Sequence, residues 1–581
     1  MSIPKKPREL KFKEFTRWAN VMTKGKKGSF FLLTFLHVAT AVIAVFNTWI
    51  FKRLVDAATS GNVERFGFYA ILFLGFTLTM IAFRAVIRYL TARAKTVLEN
   101  AFRADQLKLV LSKDYSEVTS LHTGDWLTRL DSDCSTIADG MVSIVPNVSG
   151  LTVRIIGSTV LIIRLLPNLD YKVFLLIIGL FIFTYFFRVK LKSLHKEIQK
   201  TKARLQAYLL ERISALMIIH SYSREKDTMD GADEKMTDYY KSVIRRNNYA
   251  NITSTGFSLV MDGLYAGAAV YCGYKIITGE LTYGTLAAVL QAINQIRTPI
   301  STLSGYFPKY FSMIGSAERL MEAESYKNDN DGEFISPEDI AKIYKESFNK
   351  IKFDDVSFRY RPRNKDDKTT KVLDGISFEI NKGEFISITG ESGVGKSTIL
   401  KLLMCLYPLD KGTREIVIDN QARPLDSSWR GLFAYVPQQN LLLAGTIREI
   451  VTFGDKEKIS DEKGILRALE IAGATSFIEK LKDGIDTHLG ERGNGLSEGQ
   501  MQRIAIARAI YSNHPILLFD EATSALDTQT ENQLLSNLQQ MTDRTVIIVT
   551  HRLEVLDICN KELVVTPQRV IVKEINHQQA R

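Results

Sequence analysis

The chain has 581 residues, 75 of them Lys or Arg against 64 Asp or Glu, for a formal net charge of +11. That length exceeds one ordinary domain. The four cysteines, Cys134, Cys272, Cys405 and Cys559, have no paired spacing, which argues against a disulfide framework or a zinc site. Much of the positive charge flanks apolar runs, as in 188–196 and 200–204, so it speaks for membrane topology and against a nucleic-acid partner.

In chain order, the opening Met1-Ser-Ile-Pro-Lys-Lys-Pro has no apolar core followed by a cleavage site, so no secretory signal is expected and the N-terminus is expected in the cytoplasm. Residues 10–27 read as an interfacial amphipathic segment. Six apolar runs follow, at 29–50, 67–90, 143–165, 171–190, 254–275 and 283–308, each about the ~20 residues that cross hydrocarbon as a helix. The third holds Arg154, the fifth Asp262, and the sixth Gln291, Asn294 and Arg297. Polar side chains are costly against lipid, so these five are candidates for a substrate cavity, with helix-to-helix hydrogen bonding as the alternative.

The connections 91–142 and 191–253 are long and rich in Lys and Arg, whereas 55–66, 166–170 and 276–282 are short and nearly free of them. The long loops and both termini are therefore expected inside. Charge and apolar residues alternate in the long loops at helical spacing, so spans two to five are predicted to run on as helices, turning at tips near 115–125 and 214–224. The polar stretch 326–348 reads as a linker between a membrane domain, 1–325, and a soluble domain, 349–581.

Strands are predicted at 351–360, 372–380 and 385–389. The last leads into Gly390, Ser392, Gly393, Gly395, Lys396, Ser397 and Thr398, ahead of an apolar helical run. This is a phosphate cradle: the glycines let backbone N–H groups turn toward phosphates, Lys396 adds a point charge, and the Ser397 hydroxyl can ligate Mg²⁺. Downstream, an apolar strand ends in Asp520 and Glu521. Such acids alone are commonly helix-cap charges; with the cradle upstream, Asp520 suits the metal and Glu521 a general base that polarises an attacking water.

Between cradle and acids, Leu496-Ser497-Glu498-Gly499-Gln500 through Arg508 resembles the signature of ATP-binding cassette (ABC) proteins. The family's other motifs stand in order: Tyr360 near the first strand, Gln438 after Tyr435-Val-Pro, Ser524-Ala-Leu-Asp527, and His551 after an apolar strand. Six spans ahead of one cassette look like an exporter-type half-transporter, and 123–133, 211–225 and 490–493 are similar to exporter segments. The resemblance implies a multidomain chain: an all-α six-helix transmembrane domain plus an α/β P-loop ATPase domain, binding ATP and Mg²⁺.

By the same resemblance, Tyr360 faces adenine; Lys396 and the cradle hold phosphates; Ser397, Gln438 and Asp520 surround Mg²⁺; Glu521, Gln438 and His551 serve hydrolysis; Ser497, Gly499 and Gln500 face the γ-phosphate across a dimer; and Asp527 communicates across it. The partner implied is a second half-transporter, as a homodimer or heterodimer, in the lipid bilayer of a bacterial plasma membrane. The expected activity is ATP-driven export or lipid flipping of an unidentified substrate. An importer on the same scaffold or an ATP-gated channel is the alternative, and intact Glu521 and His551 weigh against the channel. Two departures stand out: Glu498 replaces the usual glycine after the signature serine, and the tail beyond His551 lacks the glycine turn usual in the last hairpin.

Overall fold

The computed structural model describes residues 12–23, 25, 27–121, 123–166, 172–329, 335–360, 371–438, 442–490, 495–566 and 569–575. They divide into two compact units. One combines Met1–Leu107 with Leu127–Glu322, and the other combines Lys108–Trp126 with Ala323–Arg581.

The first unit is helical. It comprises α1 (Phe12–Met22), α2 (Lys27–Thr59) and α3 (Val63–Ser112); then, past the short α4 (Tyr115–Val118) and α5 (Thr123–Thr128), α6 (Cys134–Leu165), α7 (Lys172–Ser214), α8 (Leu216–Ser221), α9 (Glu225–Ile277) and α10 (Tyr283–Glu324). At about 1.5 Å per residue, α3 and α9 extend for roughly 75 Å, far beyond the ~30 Å of hydrocarbon. Both long connections are thus helical, broken at Ser112–Thr123 and Ser214–Glu225, where the tips were expected. Among the described residues, three helical stretches are long and apolar enough to cross a membrane: Lys27–Thr59, Val63–Ser112 and Thr123–Leu165. Helices α9 and α10 cover the fifth and sixth expected spans but fall short of that apolarity, and the side chains of the fourth, 171–190, lie mostly outside the described residues.

Helix α1 does not lie free as an interfacial segment. Phe15, Trp18 and Ala19, at helical spacing, are buried in a core shared with Leu33, Phe102, Ile137 and Leu320. The Trp18 indole stacks on Phe102 with centroids 5.8 Å apart and planes 4° apart. Beside this core a single π-helical turn, Arg129–Asp133, joins α5 to α6. The wider turn places two charged groups inward. Asp133 is buried and accepts from Ser316 Oγ at 2.8 Å and Arg319 Nε at 2.7 Å. Arg129 is buried too, donating to the Arg319 carbonyl and to Glu322, both at 2.8 Å. Residues four apart lie on one helix face, so Arg129 and Asp133 both reach α10.

The second unit holds two main sheets. An antiparallel one has the order β2-β1-β4-β5, from β1 (Phe348–Arg359), β2 (Lys371–Asn381), β4 (Lys411–Ile418) and β5 (Gln421–Pro424). The other has the order β12-β11-β3-β10-β9-β6, from β3 (Phe385–Thr389), β6 (Phe433–Val436), β9 (Ile516–Asp520), β10 (Thr545–Val549), β11 (Lys561–Val565) and β12 (Val570–Glu574). All its ladders are parallel except β11–β12. That last hairpin forms without the expected glycine: Thr566 N–H donates to the Arg569 carbonyl at 2.9 Å. A two-stranded ribbon, β7 (Gly445–Thr446) with β8 (His488–Leu489), completes the strands. Around them pack α11 (Pro337–Glu346), α12 (Lys396–Leu403), α13 (Ile447–Val451), α14 (Glu462–Ile471), α15 (Thr475–Ile478), α16 (Glu498–Tyr511) and α17 (Thr528–Gln539).

The described parts of the stretch 326–348, expected as a linker, belong to this unit's fold. Ser336 caps α11 by accepting from Asp339 N–H at 3.1 Å, and Ile340 and Tyr344, one turn apart, bury a single face. Upstream, Lys113 Nζ donates to the carbonyls of Glu324 and Tyr326 at 2.8 and 2.7 Å and to Asn328 Oδ1 at 3.0 Å. Asp329 in turn receives Arg430 Nη2 at 2.9 Å.

Truncating the ring that seats α1 removes buried area and leaves a cavity. Phe102→Ala is expected to cost about 3–5 kcal/mol of stability, read as a lower denaturation midpoint of the purified chain; an unchanged midpoint would show that α1 docks without it.

Candidate nucleotide site

The carboxyl ends of β3, β9, β10 and β6 converge, because the register sets Val549 opposite both Ile388 and Asp520, and Val436 opposite Phe519. The residues that follow each strand, Gly390, Glu521, Thr550–His551 and Pro437–Gln438, therefore meet at one edge of the sheet. In open parallel sheets this edge is where ligands bind.

The cradle turns through three glycines with positive φ: 139° at Gly390, 83° at Gly393 and 104° at Gly395. At Gly390 a Cβ would lie 2.4 Å from the Val565 carbonyl oxygen, so only glycine fits there. Lys396 is buried at the start of α12, with its Nζ donating to the carbonyls of Gly390 at 2.9 Å and Glu391 at 3.0 Å and lying 2.9 Å from His551 Nε2. Burial pulls its ammonium below the usual lysine range, partly opposed by the charges of Glu521 and Asp520.

Ser397 Oγ donates to Asp520 Oδ1 at 2.7 Å, and the Tyr435 hydroxyl donates to Asp520 Oδ2 at 2.9 Å. Burial and the Asp520 charge push the Tyr435 phenol well above its ordinary range, which keeps it a hydrogen-bond donor. Gln438 Nε2 donates to Glu521 Oε2 at 2.6 Å, and His551 Nε2 lies 3.6 Å from Glu521 Oε1. Glu521 itself has φ of 51°, a left-handed conformation that costs a non-glycine residue about 1–3 kcal/mol and that recurs at functional sites. The adjoining backbone holds it there: Glu521 N–H donates to the Val549 carbonyl at 3.1 Å.

Tyr360 closes the cradle's other side. Its hydroxyl is 3.1 Å from Thr398 Oγ1, and its ring meets Phe358 and Tyr407 edge-on at 4.9 and 5.3 Å. Tyr407 also meets Tyr115 of α4 edge-on at 5.7 Å. Ser392 is exposed, as a loop residue open to a ligand should be.

Signature residues Ser497 and Gln500 form a capping box at the head of α16: the Ser497 hydroxyl accepts from Gln500 N–H at 3.3 Å, and Gln500 Oε1 accepts from Ser497 N–H at 2.9 Å. Glu498 is exposed in the first turn, the position where a carboxylate suits the helix dipole. Gly499 is required by packing, since a Cβ would lie 2.7 Å from the Ala525 carbonyl oxygen. Asp527 caps α17, accepting from Thr530 N–H at 2.9 Å. Residues 491–493 of the exporter-like segment lie outside the described residues.

Three polar residues that sequence reasoning did not single out belong to this network. Tyr435 is one. Gln502, buried on α16, donates to the Glu521 carbonyl at 3.5 Å and accepts from Ala525 N–H at 3.2 Å. Arg552 donates to the Ser524 and Leu526 carbonyls at 3.1 and 3.3 Å and pairs with buried Glu531. The available signal for Gln502 was one amide on the buried stripe of Ile504, Ala505 and Ala509.

The five cavity candidates separate within the helical unit. Asp262 and Arg297 pair with each other, with Arg297 Nη2 at 3.3 Å from Asp262 Oδ2, which is the helix-to-helix alternative. Gln291 and Asn294 line a cavity of about 420 Å³ with Phe51, Phe73 and Tyr265. Arg154 lines a different one.

Among known families, the chain matches the ABC transporter transmembrane region over residues 30–300 and the ABC transporter family over 373–524. The chain belongs to the ABC transporter family and carries both parts in one polypeptide. It is similar to ABC transporter B family member 1 of Dictyostelium discoideum, at 30% identity over 481 residues, 81% of this chain and 50% of that protein. It is also similar to the leukotoxin translocation ATP-binding protein LktB of Mannheimia haemolytica, at 33% identity over 377 residues, 64% of this chain and 51% of that protein. The chain thus spans about half the length of these relatives. A solved bacterial Atm1-family ABC exporter with ATP bound shares the fold, with a TM-score of 0.77, 23% identity and 95% coverage of each chain. The second unit is therefore a nucleotide-binding domain, and the first the helical membrane domain of an exporter fold.

Replacing Gln502 by Leu leaves the Glu521 carbonyl and the Ala525 N–H without their buried partner. A loss of about 1–3 kcal/mol is expected, measured by chemical denaturation of the ATPase unit in the whole chain; a variant as stable as the parent would show that Gln502 is not holding this loop.

Proposed function

We propose that the protein is an ATP-driven exporter or lipid flippase working as a dimer of half-transporters, with the second half either another copy or a related chain. The observation that carries this is Glu521: a carboxylate held in a strained conformation at the sheet edge, hydrogen-bonded to Gln438, beside His551, and next to an acid already engaged with the cradle's Ser397. That arrangement suits hydrolysis as well as binding.

Lys396 and the cradle amides take the phosphates, and Tyr360 offers a ring to the base. The donor set of the Ser397 hydroxyl, the Asp520 carboxylate and the Gln438 amide is all oxygen-based and matches what Mg²⁺ prefers. When bound there, the ion neutralises phosphate oxygens. Glu521 accepts a proton from the attacking water as general base, with His551 and Gln438 fixing its orientation. Lys396 is held on two loop carbonyls and Gln438 on Glu521, so both stand at the site, and a phosphate or ion would take them over by exchange with these partners.

The head of α16, with its capped but outward N-terminus, is the surface that a second chain's nucleotide would meet, contributing N–H groups and dipole to the γ-phosphate. Contacts present with ATP and absent with ADP then bias closing against opening. The tip around α8 exposes Met217, Ile218 and Tyr222, at 86, 61 and 75% of their full exposure, an apolar surface that supports docking onto a partner. The charge bias of the loops supports a topology with termini and ATPase domain in the cytoplasm.

In purified protein reconstituted in lipid, Glu521→Gln is expected to bind ATP as tightly as the parent while turnover falls by about 10²–10⁴. Lys396→Ala is expected to weaken ATP binding itself. Turnover retained in Glu521→Gln would overturn the general-base assignment.

A further inference from the structure

Helices α2, α3 and α6 of the membrane unit enclose a cavity of about 390 Å³ whose wall carries His37, Arg84, Arg88, Asn147 and Arg154. Among the described residues no carboxylate lines it. Acids of these helices that lie two or more turns from the lining are already paired: Asp56 with Lys52, Glu99 with Arg103, and Asp139 with Lys95 and Lys309. Among the described residues none of the three guanidinium groups makes an ion pair. Arg88 Nε reaches the Arg84 carbonyl at 3.4 Å, and Arg154 Nε is buried without any hydrogen-bond partner. Arg84 stands close enough to Arg154 for their like charges to oppose each other.

These groups form a ladder of increasing depth from one side of the membrane. Counted from 29, 90 and 143, the ends of the apolar runs that face the same side, and at about 1.5 Å per residue, Arg88 lies about 3 Å, Arg84 about 9 Å, His37 about 12 Å and Arg154 about 16 Å inside. Snorkelling explains Arg88 but not Arg154. An arginine at such depth is costly toward lipid and ordinarily faces a partner. The wall is closely built as well: a Cβ on Gly150 would lie 3.0 Å from the His37 carbonyl oxygen, so α6 and α2 meet tightly beside the imidazole.

We propose that this cavity is an anion site in which Arg84, Arg88 and Arg154, assisted by His37 and Asn147, take a phosphate, sulfonate or carboxylate group. Guanidinium forks match such groups with paired hydrogen bonds, and the missing counter-charge is the one the ligand brings. The group arrives either on an anionic lipid reaching in sideways or on a soluble organic anion. As a binding site this stands independently of the ATPase; as the place where transported substrate sits, it rests on the function proposed above.

The test is the thermal unfolding midpoint of the full chain in lipid nanodiscs, with Mg·ADP saturating the nucleotide site throughout so that the phosphate cradle is blocked. One arm titrates benzene-1,3-disulfonate into phosphatidylcholine nanodiscs at constant ionic strength. The other replaces phosphatidylcholine stepwise by phosphatidylglycerol. A rise of several degrees is expected in at least one arm, and the arm that responds identifies the source. The Arg84→Gln/Arg154→Gln variant should lose the rise, and Arg84→Lys/Arg154→Lys should keep part of it. Should the Gln pair fail to fold, Arg88→Gln carries the comparison and should reduce the rise. A parent chain insensitive in both arms, or a Gln variant that responds like the parent, overturns the site. Turnover of Glu521→Gln is read separately, so failure of one proposal does not mimic failure of the other.

Discussion

The parallel ladder through β3, β10, β9 and β6 is the constraint from which the nucleotide site follows. Its strands are buried on both faces, as Ile386, Ile388, Leu517, Phe519, Ile547 and Val549 show, and such strands fix their register by packing rather than by turns. Once Val549 sits opposite Ile388 and Asp520, the backbone has no choice about where Gly390, Glu521 and His551 emerge. A slip of one residue would turn Asp520 to the opposite face and break its bonds to Ser397 and Tyr435. The chemistry therefore depends on an apolar ladder that contains almost none of the reactive groups.

Electrostatics then tie the emerging residues together. A lysine and two carboxylates meet at a partly buried edge, where each unpaired charge would be costly. The fold distributes them: Lys396 onto two carbonyls of its own loop, Asp520 onto two hydroxyls, Glu521 onto an amide. None of these bonds is a tight ion pair, so the arrangement is preorganised without being locked. Incoming phosphates can take over Lys396 by exchanging for carbonyls that have a second lone pair to give. Capping of α16 by Ser497 and Gln500 works the same way, satisfying some terminal N–H groups while leaving the helix end open.

Much of this was legible in the chain because the motifs are local. A glycine-rich turn between an apolar strand and a helix, or two acids closing an apolar strand, is recognisable within ten residues, and the strands at 385–389 and 516–520 fall where hydrophobic runs placed them. What was not legible is long-range. The stretch 326–348 looked like a linker because its charges mask two apolar residues, Ile340 and Tyr344, that suffice to seat a short helix. Tyr435 and Gln502 gained their roles from partners 85 and 19 residues away, which no window reveals. The polar residues of the spans were visible individually, but only the fold separates Asp262 and Arg297, which satisfy each other, from Arg154, which faces two more arginines.

The aromatic cluster beside the cradle shows why the tip of the first long hairpin clusters with the ATPase unit and not with the helices it extends. Tyr115 meets Tyr407 at 89°, and Tyr407 meets Tyr360 at 87°, so three rings interlock edge to face. Such contacts prefer specific angles and are each worth about 0.5–1.5 kcal/mol beyond area burial. Tyr360 is also bonded through its hydroxyl to Thr398, two residues past Lys396 in the same helix. If a base stacks on Tyr360 as proposed, it meets the ring that also holds the hairpin tip, and a close-packed cluster of this kind shifts between discrete packings more readily than it deforms. The nucleotide pocket and the hairpin tip thus share a wall, and neither surface can be reshaped without work done on the other.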